Sequence, residues 1–388
     1  MKIEQYEVKL DEGVLADLRE RLESTRWPDY VENVGWDYGT DWAYMRELAE
    51  YWRTEFDWRA QERFINSFPN FRADVDGWGI HFVHVKGKGP NPLPLIITHG
   101  WPSTFLEMLD IIPLLTDPAR YGGDPVDAFD VVAPSLPGYG FSDRRARRGP
   151  VKTHDLWAKL MVEGLGYRRF GAQGGDVGAG VTSNLGRYYP ENVVGIHLSS
   201  DLQWPNPMPD PAGLAPVEKD FLERIGEWER EEGGYSHLQG TKPLTLAYGL
   251  NDSPAGLAAY IVEKFRAWSD CGGDVERRFT KDQLLANVTI YWATQTIYGT
   301  MIGYYEGQHA GDRVPAIGSA GAVGRIETPA GIAMFPKDFY IPREWAERNY
   351  NVRRWTQIDK GGHFAAMEEP QLLAEDIRAF FREMRNEK

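Results

Sequence analysis

Seven short runs with strand character, spaced by longer stretches of helical periodicity, leave this 388-residue chain few architectures to adopt. They are Ile80–Val85, Leu93–Thr98, Phe129–Pro134, Arg169–Gln173, Val193–Leu198, Gly331–Phe335 and Arg354–Ile358. Ile80–Val85 alternates, whereas several of the others are nearly continuous apolar runs, the pattern of strands covered on both faces of a parallel sheet. Helices between them give the βαβ rhythm of a doubly wound α/β domain. Leu373, Ile377, Phe380 and Met384 mark a last amphipathic helix that closes the sheet.

Two segments depart from this rhythm. Residues 1–75 read as an N-terminal helical or meandering arm. Within it Val14, Leu18 and Leu22 recur every fourth residue after Asp11, a predicted N-cap, and Met45, Leu48, Trp52 and Phe56 mark a second helix. Trp27, Trp36, Trp42, Trp52 and Trp58 all fall here, as expected of a packing surface laid over another domain. Residues 201–310 open with the proline-rich Trp204–Pro209 and continue through helical stretches rich in Tyr and Trp. They read as an inserted helical cap over the strand ends, leaving 76–200 and 311–388 as the two parts of the core.

Composition narrows the function. With 43 Lys and Arg against 57 Asp and Glu, the formal charge is −14, and such a surface opposes nucleic-acid binding. Cys271 is the single cysteine, so neither an intrachain disulfide nor a cysteine-based metal site can form. His81 and His84 fall on opposite faces of one strand and cannot readily chelate one ion. No cofactor or metal is expected. The chain lacks any run of about 18 apolar residues and its first residues lack signal-peptide character, so a soluble, cytoplasmic enzyme is expected. A homodimer is the expectation from general frequency alone. The 13% aromatic content favours a large core or an apolar pocket.

The segment Gly171–Gly180 carries the chemistry. A strand runs into a tight turn and then a helix over Val177–Tyr188, and Gly174-x-Asp176-x-Gly178 is similar to the nucleophile elbow of α/β-hydrolases with Asp in place of Ser. Side chains flanking such a turn would collide with the neighbouring strand and helix. The loop His99-Gly100-Trp101-Pro102 follows the strand Leu93–Thr98, where these folds place one backbone N–H of an oxyanion hole; the other comes from the residue after the nucleophile. That nominates the amides of Trp101 and Val177, with His99 structural. Gly361-Gly362-His363 supplies an imidazole last in chain order, and Asp338, just past a strand, is preferred over Asp359 and Glu306 as the acid orienting it.

A carboxylate of pKa about 4 is ionised at neutral pH but is a weak nucleophile, suited to saturated carbon bearing a good leaving group or a strained ring. Attack gives an alkyl ester, which water activated by His363 then hydrolyses. Epoxides and haloalkanes both fit. Halide departure calls for donors such as an indole following the nucleophile, where this chain has Val177. Epoxide opening calls for an acid, and the cap offers tyrosines in Gly233–Gln239 and Gly303–Glu306. A scaffold used only for binding is the third reading.

Taken together, Arg26-Trp27-Pro28, His99–Pro102, Leu136–Ser142, Gln173–Gly178, Thr241-Lys242-Pro243, Leu250–Pro254, Ile290-Tyr291-Trp292, Phe335–Asp338 and Gly361–Phe364 resemble the microsomal-type epoxide hydrolases, in order along nearly the whole chain. The resemblance implies an α/β-hydrolase core and Asp176 as nucleophile, His363 as base and Asp338 as charge-relay acid. It also implies that Tyr235 and Tyr304 are the cap pair holding the epoxide oxygen, with Tyr305 one residue away as the competitor. Val177 departs from the Trp usual in that family, and the chain is expected to lack the membrane anchor of the animal enzymes, as in the soluble microbial branch, some of whose members act in enediyne pathways. The implied partner is a small epoxide, bulky and apolar or aryl.

Overall fold

A computed structural model describes residues 1–144, 149, 151–200, 202–205, 208–309 and 324–385. The strands are β1 (Ile3–Gln5), β2 (Asn70–Val75), β3 (Trp78–Val85), β4 (Leu93–Thr98), β5 (Phe129–Pro134), β6 (Phe170–Gly174), β7 (Val193–Leu198), β8 (Ile326–Met334) and β9 (Tyr350–Gln357). They form one sheet in the order β1-β2-β3-β5-β4-β6-β7-β8-β9. From β5 to β9 every pairing is parallel, while β1, β2 and β3 add antiparallel neighbours at one side. All residues of β5 and β6 are buried, which explains runs that are apolar apart from Asp130 and Gln173.

The first 75 residues are more than a helical arm. Helices Glu12–Glu23, Trp42–Thr54 and Trp58–Asn66 occur there, but β1 and β2 also join the sheet. β1 has only three residues, and β2 is interrupted by Arg72 and Asp74, so neither shows a clean apolar period. Asp11 caps the first helix by accepting the Gly13 N–H at 2.7 Å, as its position suggested. Phe56 lies beyond the second helix. At the other end, β8 and β9 begin earlier than their apolar runs. A register shift between Ile326 and Pro329 disguises the start of β8 as a loop.

Between β7 and β8 the described residues form helical elements only, among them Pro216–Glu231, Gly234–Thr241, Pro254–Trp268, Lys281–Thr294 and Ile297–His309. Asn206 and Pro207 of the proline-rich segment, and the boundaries at 200/201 and 310/311, involve residues outside those described. Hydrogen bonds tie these helices to the core. Asn287 Nδ2 donates to the Pro102 carbonyl and Tyr291 OH to the Ser103 carbonyl, each at 2.9 Å. The N-terminal helices brace the same element from outside, with Trp52 Nε1 donating to Thr289 Oγ1 at 3.1 Å and Tyr51 OH to Asp282 at 2.9 Å. Among the described residues no helix is long and apolar enough to cross a membrane.

Trp52 is fully packed, so Trp52→Ala leaves a large cavity and an unpartnered Thr289 hydroxyl. It is expected to lower stability by about 3–5 kcal/mol, read as a reduced urea midpoint. A change under about 1 kcal/mol would contradict the bracing role of these helices.

Candidate active site

Gly174 ends β6 and the helix Val177–Tyr188 begins three residues later, leaving Asp176 at φ 51°, ψ −128°. Such a conformation is strained for any residue with a Cβ, by about 1–3 kcal/mol. Close packing on both sides enforces it. A Cβ on Gly178 would stand 2.0 Å from the Thr98 carbonyl oxygen, and one on Gly174 2.3 Å from the Gly178 oxygen. The Asp176 N–H donates to Ser200 Oγ at 2.6 Å, and its carboxylate Oδ1 accepts the Trp101 N–H at 2.7 Å. Val177 opens the helix, so its N–H is one of the amides without an intrahelical acceptor.

His363 comes from the loop after β9. A Cβ on the preceding Gly362 would meet the Trp268 carbonyl oxygen at 2.5 Å, the same oxygen that accepts the His363 N–H at 3.0 Å. The His363 backbone therefore docks on the C-terminal end of the helix Pro254–Trp268. Its Nε2 lies 3.6 Å from Asp176 Oδ2, an ion-pair separation longer than a hydrogen bond, and its Nδ1 lies 3.2 Å from Asp338 Oδ1. Asp338 Oδ1 also accepts the Phe339 N–H at 2.8 Å. Burial pulls the His363 pKa down, but Asp338 and Asp176 together outweigh it and hold the imidazole well above its ordinary range. The resting site thus favours an imidazolium between two carboxylates.

A cavity of about 340 Å³ is lined by Asp176, Asp338 and His363 together with Tyr235, Tyr304 and the rings of Trp204, Trp228, Trp268 and Phe339. Tyr235 lies flat on Trp101, with centroids 4.9 Å apart and planes 4° from parallel, and its ring centre is 6.1 Å from that of Tyr304. Tyr304 is 7% exposed, whereas Tyr305 is 40% exposed and stacks on His309. The competing acids lie elsewhere: Asp359 is exposed, and Glu306 accepts the Gly149 N–H. His99 is buried, accepts the Leu136 N–H on Nε2, and is pushed down to about 4 by burial, which keeps it neutral. Among the described residues no three His, Cys, Asp or Glu side chains cluster as metal ligands.

Comparison with known proteins gives this geometry a family. The "Epoxide hydrolase N terminus" family matches residues 3–108, and "alpha/beta hydrolase fold" matches 94–220. A protein of Stigmatella aurantiaca (strain DW4/3-1), provisionally named an epoxide hydrolase, is 42% identical over 99% of this chain and 86% of its own length. Epoxide hydrolase 1 of Oryctolagus cuniculus is 37% identical over 97% of this chain and 88% of its own. The chain belongs to the epoxide hydrolases. The crystal structure of juvenile hormone epoxide hydrolase from Bombyx mori superposes with a TM-score of 0.82 at 31% identity, covering 99% of this chain and 94% of that one. This epoxide hydrolase accordingly has the α/β-hydrolase fold.

Sequence reasoning missed several groups around the site of this epoxide hydrolase. Ser200 anchors the elbow amide, and Trp268 meets His363 edge-on at 5.1 Å. Glu107 is buried beneath the loop and hydrogen-bonded by Ser103 Oγ; burial pushes its carboxyl up to about 7. Lys264 is buried beside Tyr235. Most of these contacts join residues distant in the chain, such as Ser200 with Asp176 and Trp268 with His363, so no local pattern signals them.

The paired carboxylates give a measurable consequence. Since the folded pKa of His363 is raised, its contribution to stability is complete below the unfolded value of about 6.5 and is lost as pH rises through the folded value. NMR titration of His363 should show a midpoint well above 6.5 in the wild type and a lower one in Asp176→Ala. An unchanged midpoint in that variant would contradict the coupling.

Proposed function

We propose that this enzyme converts an epoxide to a vicinal diol through an alkyl ester on Asp176. In the first step a carboxylate oxygen of Asp176 bonds to one ring carbon while that carbon's bond to the epoxide oxygen breaks. The developing alkoxide takes a proton from Tyr235 or Tyr304, whose phenols stay protonated at neutral pH in an aromatic-walled cavity. In the second step His363 removes a proton from water, and the resulting hydroxide adds to the ester carbonyl. The amides of Trp101 and Val177 hold the oxyanion before it collapses, releasing the diol and the Asp176 carboxylate. Water supplies two protons, one for the second hydroxyl and one that restores the tyrosine.

The observation that carries this reading is the placement of His363 between two carboxylates, Asp176 at 3.6 Å and Asp338 at 3.2 Å. Asp176 is negative only before the ester forms. Alkylation cancels that charge and withdraws one of the two influences that raise the imidazole pKa. His363 then releases its resting proton to solvent and stands as a neutral imidazole, free to accept one from water, at the stage that needs a base, while Asp338 still orients its other nitrogen. The Trp101 N–H serves both stages, since it already sits 2.7 Å from the carboxylate oxygen on which the ester carbonyl and then the oxyanion would develop. The volume and aromatic walls of the cavity favour a bulky apolar or aryl epoxide as substrate.

His363→Ala should permit alkylation but block hydrolysis. Intact-protein mass spectrometry of that variant mixed with styrene oxide is expected to show the protein plus one substrate mass, and catalytic diol release should fall by at least about a hundredfold. An unmodified mass with normal turnover would overturn the assignment of the base.

A further inference from the structure

Lys264 is 6% exposed, an uncommon state for a lysine, and no step above employs it. It lies on the helix Pro254–Trp268, whose last carbonyl holds the His363 N–H. Its ammonium Nζ is 2.8 Å from Glu232 Oε2 and 2.7 Å from Glu263 Oε2. Glu232 lines the cavity and stands just before the helix Gly234–Thr241, which carries Tyr235. The same ammonium is 5.3 Å from the ring centre of Tyr235 and 5.6 Å from that of Trp268. Both distances are within the range at which a cation is attracted by an aromatic ring.

This attraction is not constant along the reaction. As the phenol passes its proton to the epoxide oxygen, the ring becomes a phenolate and the attraction to a neighbouring cation grows. An interaction stronger in the transition state than in the ground state accelerates the step. We propose that Lys264 is a positioning residue for ester formation: it ties down the Tyr235 helix through Glu232 and sets positive charge beside the Tyr235 ring, favouring proton donation. The inference rests on Tyr235 being a proton donor.

The charged groups around Tyr235 act in different directions. Glu232 and Glu263 oppose the ammonium, and burial pushes the Glu263 carboxyl upward. Arg266 acts on Glu263 from the same helix. Glu229 and Lys337 stand on the cavity wall, and Asp176 and His363 complete it. Removing the lysine and removing its carboxylate partner therefore have opposite signs for the phenol, which separates an electrostatic role from a packing role.

The test is single-turnover ester formation by the full-length enzyme with styrene oxide, followed by tryptophan fluorescence from pH 7 to 11. The alkaline limb of this step reports the phenols. In Lys264→Met, ester formation should slow about three- to tenfold and the limb should move up about one pH unit, with ester hydrolysis changed less than about twofold. Lys264→Arg should restore both rate and limb, and Glu232→Gln should move the limb down. A limb that stays in place in Lys264→Met, or equal slowing of both steps without a shift, would overturn the proposal. Where Lys264→Met does not fold, a limb in Glu232→Gln that stays put or moves up overturns it equally. Tyr235→Phe separates the two levels. Wild-type ester formation in that variant removes Tyr235 as a donor and overturns the proposal with it, whereas slow formation there with an unaltered Lys264→Met defeats only the role of Lys264.

Discussion

The strained turn at Asp176 is the constraint from which the rest of the site follows. Its backbone lies where residues with a Cβ are disfavoured, and it stays there because Gly174 and Gly178 let strand, turn and helix approach more closely than any side chain permits. Register then does the remaining work. Thr98 of β4 pairs with Gly174 of β6, so the loop carrying Trp101 emerges directly beside the elbow. Asp338 and His363 follow the ends of β8 and β9 in the same parallel set. A parallel sheet gathers the C-terminal ends of its strands along one edge, and all the core groups of the site are collected there.

The helices between β7 and β8 complete this edge. The Pro102 and Ser103 carbonyls accept bonds from Asn287 and Tyr291, and the Trp268 carbonyl accepts the His363 N–H, so core and helices share polar groups at the site itself. The aromatic contacts from Trp101 to Tyr235, from Tyr235 to Trp268 and from Trp268 to His363 link the same parts through their faces and edges. Movement of the helix carrying Tyr235 therefore reaches both Trp101, whose amide contacts Asp176, and the imidazole. The N-terminal helices stand behind this arrangement through Trp52 and Tyr51.

Much of this was legible in the sequence because burial leaves a periodic trace. The central strands appear as apolar runs, and the helix Val177–Tyr188 starts and stops where its glycines and apolar spacing suggest. β1 and β2 escape notice because one has three residues and the other carries Arg72 and Asp74. Pro329 hides the first part of β8. Among site groups, Asp176 and His363 announce themselves by flanking glycines. Tyr304 and Tyr305 differ by one helical position, and only tertiary packing shows which of them faces the cavity. Glu107 and Lys264 look like ordinary surface charges until their surroundings are known, because what buries them comes from distant parts of the chain.

The proposed ester on Asp176 makes a statement about the origin of one oxygen atom. Enzyme in excess over an epoxide, in water enriched in ¹⁸O, performs a single turnover whose product can be analysed by mass spectrometry. The first diol should contain no ¹⁸O, because its new oxygen comes from the carboxylate, and the peptide containing Asp176 should gain the label. Heavy oxygen in the first-turnover diol, with none in that peptide, would contradict covalent catalysis by Asp176.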